Sequence, residues 1–282
     1  MIRLLLCLLL VPGLAWGTEL KIATWNLNWL TTRGADAELP TDVVPRVPAD
    51  WVALRHYAQM LDADVVALEE VDGPEAASQL FPPDRYALYF THDHVTQRVG
   101  FAVKRGIRVQ QNPDLVALDV QPQARFPLRS GADVTLIFPG AKLRLLAVHL
   151  KSGCHRAPLE SRGRACSELR EQVPALQGWI GQRRQEGAPF LLLGDFNREM
   201  DGRDELLTAM NEAAPLVRAT EGHRTPCWGG NSFIDHIMAG GAARGWLAPE
   251  SLRVLTYRET DEAQKEHLSD HCPVSIRLRL PD

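Results

Sequence analysis

Six hydrophobic stretches of this 282-residue chain carry a carboxylate, an amide or an imidazole at one end. They read Trp25-Asn26, Leu68-Glu69-Glu70, His149 with Lys151-Ser152-Gly153 behind it, Gly194-Asp195-Phe196-Asn197, Phe233-Ile234-Asp235-His236 and Ser269-Asp270-His271-Cys272-Pro273. Each has an ordinary explanation when taken singly. An Asn or Asp after a strand is a turn residue, Glu70 is a solvated helix start, and His149 is a hydrogen-bonded core histidine. If the ends converge, they assemble oxygen donors and more than one imidazole at one place. Carboxylate and amide oxygens favour hard divalent cations.

The stretches that must position these residues read as buried strands: Leu20–Trp25, Val65–Leu68, Tyr86–Phe90, Val99–Val103, Leu143–Val148 and Phe190–Leu193. They are aliphatic or β-branched and bounded by turn formers. In the last strand Val274, Ile276, Leu278 and Leu280 alternate with Ser275, Arg277 and Arg279, the pattern of a sheet with one solvated face. Trp51, Leu54, Ala58 and Leu61 keep helical spacing, as do Leu169, Val173, Leu176 and Ile180, where Pro174 marks a kink or a late start. Helices that precede strands indicate a layered α/β architecture. Residues 31–50 and 105–133 read as surface loops, and no repeat or linker divides the chain.

Composition excludes several classes. With 45% hydrophobic and 23% charged residues, the chain is neither disordered nor fibrous. Its net charge of −4 does not advertise a nucleic-acid partner. Residues 1–17 read as a secretory signal peptide: Arg3, a short apolar run from Leu4 to Val11, and the small residues Ala15 and Gly17. The run is too short to span a bilayer. Residues 18–282 then form one catalytic domain, periplasmic or secreted. In an oxidising compartment an even number of cysteines favours disulfides. Cys154 and Cys166 lie close together in a polar, Arg-rich loop and are expected to pair. Cys227 and Cys272 either pair by default or leave Cys272 as a small core residue. No Cys-x-x-Cys spacing points to zinc.

In this order, Trp25-Asn26, Leu68-Glu69-Glu70-Val71, His149-Leu150-Lys151-Ser152, Gly194-Asp195-Phe196-Asn197, Ile234-Asp235-His236 and Ser269-Asp270-His271 resemble the endonuclease/exonuclease/phosphatase superfamily. That group includes deoxyribonuclease I, apurinic/apyrimidinic endonucleases, neutral sphingomyelinases and inositol polyphosphate 5-phosphatases. The resemblance spans nearly all of the chain after residue 17, and the surroundings of Cys154, Cys166 and Trp179-Ile180 resemble exported bacterial members. One departure is Glu69, which stands where the group's Leu-Gln-Glu motif has Gln. The resemblance implies a four-layer α/β/β/α sandwich of two packed mixed sheets with outer helices. It implies hydrolysis of a phosphate ester with Mg²⁺ or Mn²⁺; Ca²⁺ would be a structural ion. A bound cation neutralises a phosphate and stabilises charge on the leaving oxygen. Glu70 becomes the principal metal ligand, with Asp270 and Asn26 assisting directly or through water. Asp195 orients or deprotonates the attacking water, held with the phosphate by Asn197. His271, oriented by Asp235, contacts the phosphate or acts as base. His149 protonates the leaving oxygen or binds a phosphate oxygen, and His236 packs structurally.

His149 followed by Lys151-Ser152 resembles the nuclease branch. The loop behind it sets Lys151, Arg156, Arg162, Arg164 and Arg170 against Glu160 and Glu168, a basic surface suited to phosphates. Arg98, Arg125, Arg129 and Arg224 add to it. The expected partner is DNA, with RNA as a further substrate, cut by a monomer without stable membrane association. The rival enzyme is a phospholipid phosphodiesterase of the sphingomyelinase kind, for which no amphipathic membrane-seating helix is visible. The rival outside enzymology is an inactive binding module.

Overall fold

The computed structural model describes residues 18–34, 39–41 and 43–281; the expected signal peptide lies outside the described residues. Alternating apolar residues, interrupted by two long amphipathic helices, set the element order. β1 (Glu19–Leu30), α1 (Pro48–Leu61), β2 (Val65–Val71) and α2 (Pro74–Ser78) are followed by β3 (Tyr86–Phe90), β4 (Arg98–Lys104) and β5 (Arg108–Gln111). Next come β6 (Ala132–Phe138), β7 (Ala141–His149), α3 (Arg164–Gln185), β8 (Phe190–Asp195) and α4 (Glu205–Ala213). β9 (Leu216–Arg218), β10 (Asp235–Gly240), β11 (Arg253–Val254), α5 (Glu262–His267) and β12 (Val274–Arg279) complete the described chain.

The strands form two mixed sheets, ordered β11-β12-β1-β2-β4-β3 and β5-β6-β7-β8-β10-β9. Two neighbouring pairs are parallel, β1 with β2 and β7 with β8. Parallel neighbours need a crossover, supplied by α1 in one sheet and α3 in the other.

Side-chain alternation then decides the layers. Leu20 and Ile22 of β1, Val65 and Ala67 of β2, and Leu143, Leu145 and Ala147 of β7 enter one core between the sheets. Ala23, Trp25, Val66 and Leu68 face the other way, against Leu54, Tyr57 and Leu61 of α1. Leu146, Val148 and Leu192 face Leu169, Leu176 and Ile180 of α3 and Met210 of α4. The four expected layers are present, two packed mixed sheets flanked by helices.

The differences from expectation are local. α3 starts at Arg164, so Pro174 lies inside it rather than at its start. An interior proline costs about 3 kcal/mol, but the stripe of Leu169, Leu176 and Ile180 is fully buried. At about 2 kcal/mol per buried side chain, that face outweighs the proline. Residues 105–133 are not all loop: β5 and the first residues of β6 lie within them. β6 carries a buried Asp133, satisfied by Asn112, Arg144 and Trp179. Cys154 pairs with Cys166 as expected, and Cys227 pairs with Cys272, which settles the open alternative.

Candidate active site

Two backbone irregularities carry the first sheet's residues to the site. The register of β1 against β2 shifts between Asn26 and Leu30, and that of β2 against β4 between Leu68 and Val71. Asn28, Trp29 and Glu70 stand there at φ of 43°, 58° and 58°, a region costly for residues with a Cβ. Such bulges re-aim side chains next to sites. Glu70 leaves the alternation and turns to the cluster, while Glu69 stays inside the sheet on the hydroxyl of Thr24, 2.9 Å away.

The second sheet delivers its residues in register. His149 lies opposite Asp195 on the parallel pair β7 and β8, and Asp195 lies opposite Asp235 on the antiparallel pair β8 and β10. Paired residues of adjacent strands share a face. The preceding Gly194 has φ 136°, and a Cβ there would sit 2.0 Å from the carbonyl oxygen of Val148. Only glycine lets β8 approach β7 closely enough to set Asp195 in place. Ser269 ties the two sheets' contributions together. Its hydroxyl donates to the carbonyl of Asn26 at 2.7 Å and accepts from the backbone N–H of His271 at 3.0 Å.

Asp195 is the centre of the cluster. Its Oδ1 accepts from the backbone N–H of Asn197 at 2.7 Å. Its Oδ2 accepts from the amides of Asn26 at 3.1 Å and Asn197 at 3.2 Å. The same Asn26 amide donates to Glu70 at 3.1 Å, so it bridges two carboxylates with its nitrogen. Nε2 of His149 lies 3.4 Å from Glu70 and 3.7 Å from Asp195. Nδ1 of His271 faces both oxygens of Asp235 at 2.9 and 3.0 Å, leaving Nε2 toward Asp195 at 3.8 Å and Asp270 at 3.9 Å. The carboxylate of Asp270 is 54% exposed and forms the rim.

Burial sorts these groups electrostatically. It pushes Asp195 up to about 7, with Asp235 and Glu70 adding to the rise and His271 opposing it. Burial works against a charged His271, yet Asp235 and Asp195 outweigh it and hold the imidazolium well above its ordinary range. His149 goes the opposite way, driven well down by burial, the Arg129 guanidinium and His271. Its Nδ1 is buried without a partner. Glu69 is driven well up by burial and the Asp235 charge, so it is held as the neutral acid. His236 is structural, as expected: it is buried, meets the Thr220 hydroxyl at 2.6 Å and donates to the Arg198 carbonyl at 3.0 Å.

The donor set fits a hard divalent cation. Asp195, Asp235 and His271 offer ligand atoms within 4.8 Å of one another, while Glu70 meets the cluster through His149 and the half-exposed Asp270 through His271. No lysine or arginine forms an ion pair with any of these carboxylates among the described residues.

The expected substrate contacts converge less well. Arg98 donates to the Asp72 carbonyl and keeps a buried, unpartnered Nε in a cleft shared with Arg129. Lys151 folds back onto the Ser152 carbonyl and approaches Glu168 at 3.9 Å. Arg156 is taken by Glu199 at 2.6 Å, and Arg162 is exposed in the loop before α3. Arg129 is a buried cation that donates to the Leu150 carbonyl at 3.1 Å and whose charge acts on Glu70 and Asp195. It follows a Pro-rich stretch without periodicity, so sequence pattern singles it out no more than Arg125.

Comparison with known proteins agrees with this fold. The fold is similar to that of D. rerio TDP2 complexed with single strand DNA product, at 17% identity and TM-score 0.60, covering 93% of this chain and 100% of that one. It is similar to the 3'-5' exonuclease NExo from Neisseria meningitidis, at 17% identity and TM-score 0.59, covering 92% and 100%. It is also similar to the human Nocturnin catalytic domain with bound sulfate anion, at 15% identity and TM-score 0.57, covering 92% and 93%. No curated protein sequence matches this chain. The sequence profile described as Endonuclease/Exonuclease/phosphatase family matches residues 23–271. The chain belongs to the endonuclease/exonuclease/phosphatase family.

Proposed function

We propose that this protein is an exported, metal-dependent phosphodiesterase that cuts DNA internally, and RNA by the same chemistry. The observation that carries the reading is the convergence of Asp195 and Asn197 with His149, Glu70 and the His271–Asp235 pair in one solvent-reached cluster. Two proteins of similar fold, D. rerio TDP2 complexed with single strand DNA product and the 3' phosphatase NExo from Neisseria bound to product DNA hairpin, support nucleic acid as substrate. The two disulfides are compatible with an oxidising compartment. None of the described helices is long and apolar enough to cross a membrane.

When bound at Glu70, with Asp270 and Asn26 alongside, Mg²⁺ or Mn²⁺ supplies neutralisation of the phosphate charge. The protein's own residues do the rest. Asp195 has a proton affinity near neutrality, suited to a general base. Asn197, fixed by the Leu150 carbonyl at 3.1 Å, holds the amide that positions Asp195 and the water beside it. His271 directs its Nε2–H at a phosphate oxygen, with the ring oriented and its charge held by Asp235. His149 is kept neutral, so its Nε2–H donates a hydrogen bond to a phosphate oxygen rather than a proton to the leaving group.

The test is nicking of supercoiled plasmid by the purified protein with Mg²⁺, stopped by EDTA, beside sphingomyelin as a control. Intact plasmid with hydrolysed lipid refutes the nuclease reading. Binding of DNA without turnover refutes the enzymatic one.

A further inference from the structure

A cleft of about 890 Å³ opens beside the catalytic cluster, between the loop after Asn197, the turn after β9 and the residues before β10. None of the cluster's side chains line it, but Arg198 follows Asn197 in the chain and Phe233 comes two residues before Asp235. In the sheet order β7-β8-β10-β9 it lies one strand beyond Asp235. β9 runs antiparallel to β10, so its last residue, Arg218, lies toward the end of the sheet that holds the site; it pairs with Met238 and so sits on the face that packs on α4, opposite the face that carries Asp235, and an extended substrate reaches it around that end.

The cleft's other buried guanidinium is satisfied, and so is the exposed Arg156. Arg156 meets Glu199 at 2.6 Å, and Arg198 meets Asp204 at 2.7 Å. Arg218 is different. It is 9% exposed, its Nε is buried without a hydrogen-bond partner, and it makes no ion pair among the described residues. Asp201, Asp204 and Glu221 act on its charge from a distance. Asp204 is already held by Arg198 and by the N-terminus of α4, and Asp201 by the backbone N–H of Arg203. Arg203 and His223 stand exposed on the same wall. An arginine keeps its charge in proteins, and its planar fork matches phosphate oxygens. A mostly buried arginine whose Nε lacks a partner, in the wall of an open cleft, can therefore take an oxyanion.

We propose that this cleft is an anion subsite, built on Arg218 with Arg203 and His223 at its mouth, that takes a non-scissile phosphate of an extended substrate. The proposal rests on the phosphodiesterase reading above. Such a contact is made equally before and during bond cleavage, so it acts on KM rather than kcat.

Two measurements test it. The first is an amide NMR titration of the EDTA-treated protein with inorganic phosphate, since the metal-free cluster is carboxylate-rich and repels the anion. Saturable shifts at residues 198–204 and 218–223 are expected in the wild type and lost in Arg218→Met. Absence of these shifts in the wild type, or equal shifts in the variant, overturns the subsite. The second is the ratio of kcat/KM for an oligonucleotide to that for bis-nitrophenyl phosphate, which has no second phosphate. In Arg218→Met the ratio falls about tenfold through KM, the scale of one charged hydrogen bond, and Arg218→Lys restores part of it. An unchanged ratio together with phosphate binding means the cleft holds free phosphate only, which overturns the substrate role. If Arg218→Met does not fold, Arg203→Gln on the exposed rim replaces it, with a fall of about threefold expected and no change overturning the proposal. A wild type that cuts no polynucleotide refutes the nuclease reading, and the titration still decides the subsite.

Discussion

Replacing Asp235 with Asn removes one charge at nearly constant volume, and the structure sets the size of the effect. Both carboxylate oxygens lie 2.9 and 3.0 Å from Nδ1 of His271, and the two side chains are each only 12% exposed. At that separation and an effective dielectric of about 20, the attraction is about 6 kcal/mol. Each tenfold change in proton affinity corresponds to about 1.4 kcal/mol, so the loss is large enough to leave burial opposed only by Asp195 at 3.8 Å and the exposed Asp270 at 3.9 Å. The amide also offers its N–H to Nδ1 and so favours the wrong tautomer. In a Ser-His-Asp triad the same change costs about 10⁴ in kcat. Here the plasmid-nicking rate with Mg²⁺ is expected to fall by about 10² to 10⁴, with KM nearly constant. Asp235→Glu, which keeps the charge, serves as the control. Folding is checked by circular dichroism. A well-folded Asn variant that nicks within about threefold of wild type would refute the assignment of His271 and Asp235 as a working pair.

His236 is pushed down to about 3 by burial, so the native state holds it neutral while the unfolded chain protonates it below about 6.5. Its share of stability is present above that pH and is lost as pH falls toward 3, about 2 kcal/mol of it by pH 5; urea unfolding of His236→Gln should show a flatter acid limb, and parallel limbs sink the idea. The Cys227–Cys272 bridge spans 45 residues and Cys154–Cys166 spans 12, so opening them by Ser substitution should cost about 4 and about 3 kcal/mol in urea melts. The opposite order would show that native-state effects dominate. Glu69 is raised well above its ordinary range, so its contribution is present at acid pH and lost as pH rises through the raised value. Glu69→Gln should therefore raise Tm at mildly alkaline pH and leave nicking within about threefold; a lower Tm there contradicts a neutral Glu69.

Much of the site was legible because four of its strands announce it in one way. Asn26, Glu70, His149 and Asp195 occur near the C-terminal ends of parallel strands, where an apolar run stops and a polar residue follows. Asp235 and His271 obey the mirror rule: β10 and β12 run antiparallel to their neighbours, so these residues stand at or just before the strand start. Once motif order is recognised, both rules point to one end of the sandwich. The arginines were harder to read because a guanidinium's role depends on which carboxylate reaches it. Arg156 finds Glu199 across the loop, while Arg129 and Arg218 keep a buried nitrogen without a partner. Nothing local in the chain distinguishes those fates. β5 and β6 were missed for a related reason: their polar residues, such as Asp133, are satisfied by distant partners.

Depth of burial, more than residue type, divides the carboxylates among roles. Glu69 and Glu70 are neighbours in sequence, yet the bulge at φ 58° sends one into the sheet and the other to the cluster. Glu69 is fully buried and gives up its charge. Asp195 is almost as buried, but three N–H donors and the nearby imidazolium keep it within reach of ionisation. Asp235 is matched by His271 and is not free to exchange partners with substrate. Glu70 and Asp270 reach solvent, so they can meet a hydrated cation without leaving the protein's own hydrogen-bond network. The formal charge of −4 counts these groups alike. It therefore overstates the repulsion that a phosphate meets, because one of these acids is neutral and another is already paired with a cation.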